Sequence, residues 1–471
     1  MARAIAWLGL LLTNVNRLEE GENALREAYE LFQSSKPTDS FIPERGLIPS
    51  LRGISMAQSC AGKVPESENN LREGLRTCRD LAKKRREFEF SVVLYSNDLG
   101  ELLRLTNRPY EAIDIFREEL QLLRELVKKE PEVFSRSLIM GLNNLALPLW
   151  QIGSFTEAEK KYQEALTLSR ELADKNPDAF SGLVARNLLD YAVLLRQTDS
   201  ISEAEELCRE ALRIYRDFSA KFPGTSLSLM AWNLNNLAVI LRQTNRVSEP
   251  AEFYREALEI AREIAHKSPE AVFLADLLAT ILNNIAVLLR QMGRTSEAKE
   301  TILEALGVRR QLAQKSPELF LHRVATTLNN LGVLLFELGE KSEAEDVLRE
   351  ALRIRRELVG KSKDQYQSSI SSTLNNIGIL MKRTGRTSES ESAYREAIDI
   401  GEDLASKSPT AYHRELQRTI CNYALLLSMQ SNKVNLHRLV NRLKELGIES
   451  MPENEEWSEE EEVEANPPGI S

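Results

Sequence analysis

The chain has 471 residues, 42% hydrophobic and 28% charged, with only 6% aromatics and a net charge of −10. That composition excludes a disordered chain and a lipid-embedded one, and the lack of a basic excess argues against a general nucleic-acid binder. The acidity is local: eight Glu lie between Glu453 and Glu464 with no Lys or Arg among them, so the rest of the chain is close to neutral.

The first segment, Met1 to Leu12, carries Arg3 and then nine apolar residues. It has the size of a short signal peptide but no clear small-residue cleavage site follows it. The repeat register described next reads it as the first helix of a first repeat, cut short. No later apolar run reaches the roughly 18 residues of a membrane span, so no membrane is expected. The four cysteines, Cys60, Cys78, Cys208 and Cys421, form no CxxC pair. Neither a disulfide framework nor a zinc site is expected, and the cytoplasm is the default compartment.

Beyond this segment the chain repeats itself. The clearest copy runs Leu282-Asn-Asn-Ile-Ala-Val-Leu-Leu-Arg-Gln-Met-Gly-Arg-Thr-Ser-Glu-Ala298, followed by Ile302 and Glu304-Ala305-Leu306. With the second Asn as a marker, the equivalent positions are Asp98, Asn144, Asp190, Asn236, Asn284, Asn330, Asn376 and Asn422. Successive steps are 46 residues, except for one of 48. Weaker copies are centred near Trp7 and Gly53, which makes about ten repeats. So regular a period signifies stacked supersecondary units, each unable to bury its apolar face alone.

Each repeat reads as two helices. Ile281, Ile285, Leu288, Leu289 and Met292 recur at helical spacing, as do Ala298, Ile302, Ala305 and Leu306. Gly293 ends the first helix, with Gly153, Gly339 and Gly385 in the same slot, Gly62 in the corresponding cap, and Asn107 and Asn245 as substitutes. The second helix starts at Thr-Ser-Glu-Ala, where a hydroxyl is expected to cap it and the acid to oppose the dipole. The next unit is announced by Pro131, Pro177, Pro223, Pro269, Pro317 or Pro409, the helical position that tolerates Pro best. Recurrent small residues, such as Ala286, Ala298 and Ala305 or Ala158 and Ala165, predict close approach of helix axes.

This pattern resembles the tetratricopeptide repeat. Leu282, Ile285-Ala286, Leu289, Gly293, Ala298, Ile302, Ala305 and the closing Pro317 match its positions, and the Leu-Asn-Asn-Leu-Ala wording is similar to the kinesin light chain type. The resemblance implies an all-α, right-handed superhelical solenoid over residues 1–446, its first repeat truncated and its last a degenerate cap at Leu436 to Leu446. It also implies a scaffold that binds a peptide or helix of another protein on a concave face lined by the first helices. The unit departs from the family in length, at 46 residues against 34, or about 42 in kinesin light chains. Cargo specificity therefore does not transfer.

On that face the expected contact residues are Asn144, Asp190, Asn236, Asn283, Asn284, Asn330 and Asn376, with Gln243 and Gln291 seven residues further along. Asn is a poor residue for a helix interior, so its repeated use needs a reason. A row of carboxamides can hold an extended peptide by its backbone. Equally, it can bridge neighbouring helices as an internal ladder. The row Arg196, Arg242 and Arg290, with Lys382 and Arg104, would favour acidic groups, or else pair with Glu on a solvated face.

No catalytic or cofactor motif stands out. His266, His322, His413 and His437 occur singly and are expected near helix ends or on solvated faces. Carboxylates such as Glu297 and Glu304 are expected to pair at i,i+4. Residues 447–471 cannot bury enough to fold and read as an acidic tail, either solubilising or docking Trp457 on the basic row. An interaction scaffold without enzymatic activity or cofactor is therefore the leading expectation. A regulatory or sensor array of a larger signalling or enzymatic protein is the alternative, and a nucleic-acid-binding helical repeat is disfavoured by the acidic balance.

Overall fold

The computed structural model describes residues 1–14, 17–35, 43–106, 108–197, 200–221, 226–244, 246, 248–268, 271–359, 365–407, 409–430 and 433–445. Among them every regular element is a helix. The first helices of the pairs are α1 (Ala2–Asn14), α3 (Glu44–Cys60), α5 (Glu89–Leu105), α7 (Pro131–Gln151), α9 (Pro177–Gln197), α11 (Leu227–Gln243), α13 (Val272–Gln291), α15 (Pro317–Glu337), α17 (Gln365–Arg383) and α19 (Pro409–Met429). The second helices are α2 (Leu18–Gln33), α4 (Val64–Ala82), α6 (Pro109–Lys129), α8 (Phe155–Lys175), α10 (Ile201–Lys221), α12 (Ser248–Lys267), α14 (Thr295–Lys315), α16 (Lys341–Val359), α18 (Thr387–Lys407) and α20 (Lys433–Glu445). A 3-10 turn, Arg86–Phe88, precedes α5. Prolines open α7, α9, α15 and α19 as expected, whereas Pro223 and Pro269 lie outside the described residues.

Two compact units make up the chain. One comprises Met1–Asn187 with Ala313–Leu319, the other Leu188–Leu312 with Phe320–Ser471. Within each, a first helix packs on its own second helix and on the first helix of the next repeat, as α5 does on α6 and α7, and α17 on α18 and α19.

The two kinds of helix differ because their surroundings do. Second helices are amphipathic: α16 buries Ala344, Leu348, Ala351, Leu352, Ile354, Arg355 and Leu358 and turns the rest outward. First helices are covered on all sides over their middle turns, and in α11 every residue from Met230 to Leu241 is buried. This makes α13 (mean hydropathy 2.1) and residues 319–337 long and apolar enough to cross a membrane by length and composition, contrary to the reading from apolar runs alone. Both are 67% buried within the protein, which accounts for their composition without a bilayer.

The helix ends follow the glycine signal. Gly62, Gly153, Gly293, Gly339 and Gly385 all have φ between +74° and +84°. At Gly293 its amide donates to the Arg290 carbonyl (2.9 Å) and the Arg294 amide to the Leu289 carbonyl (2.9 Å), which satisfies carbonyls left open at the helix end. Asn107 and Asn245 lie outside the described residues. The second helices start differently from expectation. Ser154 makes no side-chain cap before α8. Before α14, Arg294 instead grips Glu297 with two hydrogen bonds of 2.7 and 2.6 Å, and Arg108–Glu111 and Arg386–Glu389 repeat the clamp. The guanidinium is held in a bidentate geometry over the first-turn carboxylate, which itself faces the positive end of the helix dipole.

The small residues allow axes to approach as expected. Ala158, Ala165, Ala257, Ala298, Ala305, Ala344 and Ala351 are fully buried. At Gly378 even a methyl group would stand 2.6 Å from Tyr394 Cε1, so the α17–α18 contact admits no side chain at all.

Candidate partner-binding face

The asparagines expected to face a guest are buried and bonded to one another. Asn284 Nδ2 donates to Asn235 Oδ1 (3.0 Å), Asn330 to Asn283 (3.2 Å), Asn376 to Asn329 (3.1 Å) and Asn422 to Asn375 (2.8 Å). Each bond therefore joins the marker Asn of one repeat to the preceding Asn of the repeat before. Within a repeat, Asn235, Asn283 and Asn375 donate in turn to Asn236, Asn284 and Asn376. In the first unit, half-buried Asn144 donates to Asn97 (2.6 Å). One step earlier a charged pair replaces the amides: Arg52 binds Asp98 through two bonds, of 2.5 and 3.0 Å.

This is the internal ladder, one of the two arrangements open from the sequence. Asn236, Asn283, Asn284, Asn330 and Asn376 are spent on the helix-to-helix seam, and Asp190 is buried at the equivalent position. The reason is geometric. The marker and the residue before it lie on the side of the first helix that meets the next first helix, where a donor-and-acceptor group satisfies both neighbours.

Further polar rungs lie seven residues to either side on the same seam. Towards the amino ends are Asp276–Arg323 (3.1 Å) and Ser368–Glu415 (2.7 Å); towards the carboxyl ends is Arg290–Glu337 (2.5 Å). Seven residues are two helical turns, so the seam side returns at that interval. Composition alone did not reveal the buried Arg309, which bonds Thr280 and Thr327 (3.1 and 2.6 Å), or Arg355, which bonds Thr373 and the Ser369 carbonyl. The available signal was their place in the repeat, which Leu123, Ser169, Tyr215 and Ala261 occupy elsewhere. His322 lies in the second turn of α15, near a helix end as the sequence suggested, and is half-buried. It lies among Arg323, Arg309 and Arg355, and burial together with these charges drives its pKa down to about 3.

The remaining candidates gather at the carboxyl ends of the first helices. Arg196, Arg242, Arg290 and Lys382 are half-buried there, and Gln243 and Gln291 are exposed. Cations suit this end of a helix because the macrodipole is negative there. Arg196 and Arg242, from adjacent repeats, are close enough to repel. Burial, and then the Arg242 charge, lowers the Arg196 pKa to about 10. Arg104 forms an ion pair with Glu101 (2.6 Å). The predicted face thus divides into a closed amide seam at mid-helix and a basic row along one rim.

Paired helices in tandem, with a polar seam between first helices and close small-residue contacts inside each pair, define a helical-repeat interaction scaffold. Comparison with known proteins agrees. A tetratricopeptide repeat model matches residues 277–357, and a second matches 189–217, 231–266 and 371–407. Residues 106–181 match a model of anaphase-promoting complex subunit 5. No curated protein matches the sequence. Among solved structures, the chain is similar to a Rap protein complexed with Competence and Sporulation Factor, at 14% identity and TM-score 0.52, over 86% of this chain and 99% of that one. It is similar to the apo form of the quorum sensor NprR from B. thuringiensis at 16% identity and TM-score 0.52, over 83% and 99%. BtubC (BKLC) from P. vanneervenii aligns at 25% identity and TM-score 0.43, over 53% and 92%. Tetratricopeptide repeats thus occupy the matched stretches between residues 189 and 407, and the chain is a scaffold for protein–protein interaction.

Proposed function

We propose that the chain binds an acidic segment of a partner protein along the carboxyl rim of its first helices. The observation that carries this reading is the row of half-buried cations, Arg196, Arg242 and Arg290, at the carboxyl ends of α9, α11 and α13. An anionic side chain or a terminal carboxylate suits such a row, since a planar guanidinium can grip it with two bonds. Lys382 continues the row within the same unit, and exposed Gln243 and Gln291 add donors and acceptors beside it. The buried asparagines then act indirectly, by holding the first helices in register so that the rim charges keep their spacing.

Cytoplasmic residence belongs to the same reading, since Cys60, Cys78, Cys208 and Cys421 are free thiols, as a reducing compartment maintains them. The acidic tail, residues 447–471, lies outside the described residues. Its eight Glu suit it to compete for the row from within the chain.

The experiment is affinity capture with mass spectrometry, using the full chain and the double variant Arg196→Glu, Arg242→Glu. Proteins retained by the wild type should be lost by the variant while its melting temperature stays within a few degrees. Retention of the same partners by a folded variant rejects the rim as the contact.

A further inference from the structure

In the repeat register, Trp7 of α1 holds the marker position, and Leu8 and Leu11 lie one and four residues past it. In later first helices those two positions are closed: Ile54, Leu99 and Leu145 stand in the place of Leu8, Ala57, Leu102 and Leu194 in the place of Leu11, and all six are buried. On α1 they are open, with Trp7 68% exposed, Leu8 52% and Leu11 55%. Ala4 is exposed beside them. Ala4, Leu8 and Leu11 keep the four-and-three spacing by which two helices lie seam against seam, and Trp7 flanks them. From Asp98 onward the marker is Asn or Asp, whose side chain demands a polar partner at one register; the apolar ring of Trp7 fits an apolar surface instead. Charge is confined to the two ends of this face. Arg3 is the one charged residue of α1 and stands at the positive amino end of its own helix. At the other end, a methyl group on Gly21 of α2 would lie 2.6 Å from Thr13 Oγ1 of α1, so the start of α2, with exposed Glu19, sits beside the carboxyl end of α1.

We propose that the exposed face of α1 pairs with the same face of a second copy of this chain, the two α1 helices running antiparallel about a twofold axis between Trp7 and Leu8. A twofold contact requires a patch that complements itself, and this one does so in shape and in charge. About that axis Ala4 of one copy faces Leu11 of the other, small against large, and Trp7 meets Leu8 with no like charges at the centre. Arg3 falls opposite Leu12 of the second copy, at the carboxyl end of its α1, where the helix dipole is negative and Glu19 stands close by. A parallel pair would instead set Arg3 against Arg3. One 13-residue helix per copy offers less than the roughly 800 Å² per partner of a tight complex, so a reversible dimer, populated above about 10 µM, is expected.

The test is sedimentation equilibrium of the full chain from about 1 to about 200 µM, where the mass should rise reversibly from one chain towards two. Leu8→Glu with Leu11→Glu should stay at one chain throughout and melt as the wild type does, since both side chains are more than half exposed. If that variant does not fold, Trp7→Glu serves instead. Arg3→Glu should weaken association about fivefold or more, and adding Glu19→Arg to it should restore the wild-type constant to within about twofold, as the exchanged charges meet across the antiparallel pair. A wild type that remains one chain at the highest concentration overturns the proposal and leaves the face to another occupant. Undiminished association of the folded Glu variants, or failure of Glu19→Arg to rescue Arg3→Glu, overturns it as well. The double variant Arg196→Glu, Arg242→Glu should associate as the wild type does, so this inference and the rim reading stand or fall separately.

Discussion

At the residue scale, the ladder asparagines and one buried carboxyl depart most from a simple stack of apolar helices. Asn284 donates to Asn235 and accepts from Asn283. Asn284→Ala therefore leaves two buried amides short of a partner, at about 1–3 kcal/mol each. A clear loss of denaturation midpoint is expected, larger than for Gln291→Ala on the exposed rim. Equal small effects for both would show that the ladder contributes nothing to stability. Glu119 stands where Ala165, Ala211 and Ala257 stand in later repeats, 3% exposed and with Oε2 unbonded. Burial, and then the Asp98 charge, raises its pKa to about 8. The folded state thus holds this proton more tightly than the unfolded chain does. Its stability contribution is complete below the ordinary carboxyl value of 4.5 and is lost as pH rises towards about 8. Glu119→Gln is expected to match the wild type near pH 4.5 and to exceed it by about 1–3 kcal/mol at pH 8, levelling above that. Parallel stability curves for the two proteins from pH 4.5 to 8 would contradict this.

At the scale of elements, the contact between the two helices of a pair admits no added volume. Ala305 of α14 is fully buried against Leu282 and Ala279 of α13. Ala305→Leu is expected to cost about 1–3 kcal/mol by overpacking, read from chemical denaturation. An unchanged midpoint would mean that the contact is loose. The starts of the second helices hold by a different device from the one their sequence suggests. Thr295 and Ser296 look like caps, yet Arg294 and Glu297 close the turn. Two residues three apart on a loop-to-helix junction were readable as charges, but the bidentate geometry depends on the backbone path set by Gly293 at φ +75°. Similarly, Glu304 pairs with Arg262 of the preceding repeat (3.1 Å) and not along its own helix. Only the stacking of second helices brings those groups together.

Across the whole molecule, second helices of successive repeats are linked by a series of such ion pairs, among them Arg79–Glu118, Arg124–Glu164, Arg216–Glu256, Arg310–Glu350 and Arg356–Glu396. Each is largely exposed, so losing one, as in Arg216→Gln, should change stability by less than about 1 kcal/mol. Their effect lies in number and in sign: they oppose the repulsion that a row of like charges would create. Melting in 1 M salt, where screening acts over about 3 Å, should fall below that in 0.05 M salt. A melting temperature that does not fall with salt would show the series to be energetically silent. Removal of residues 450–471 is expected to tighten binding of the acidic partner segment, and more so at low salt. Unchanged affinity would remove the tail from the proposed competition.

The period, the two helices per unit, the Gly and Pro boundaries and the small-residue contacts were all legible in the sequence, because each follows from local backbone preference or from spacing along one helix. Which side of the first helix the asparagines occupy was not. Positions seven apart share a side, but spacing does not say whether that side meets solvent, a guest or the next repeat. Stacking decided it, by placing Asn235, Asn283, Asn329 and Asn375 within 3.2 Å of the following repeat and leaving the arginines at the rim. The open face of α1 around Trp7 was equally a tertiary result, since the register positions of Leu8 and Leu11 are closed in later first helices, and only the packing of helices distant in sequence separates a covered side chain from an accessible one.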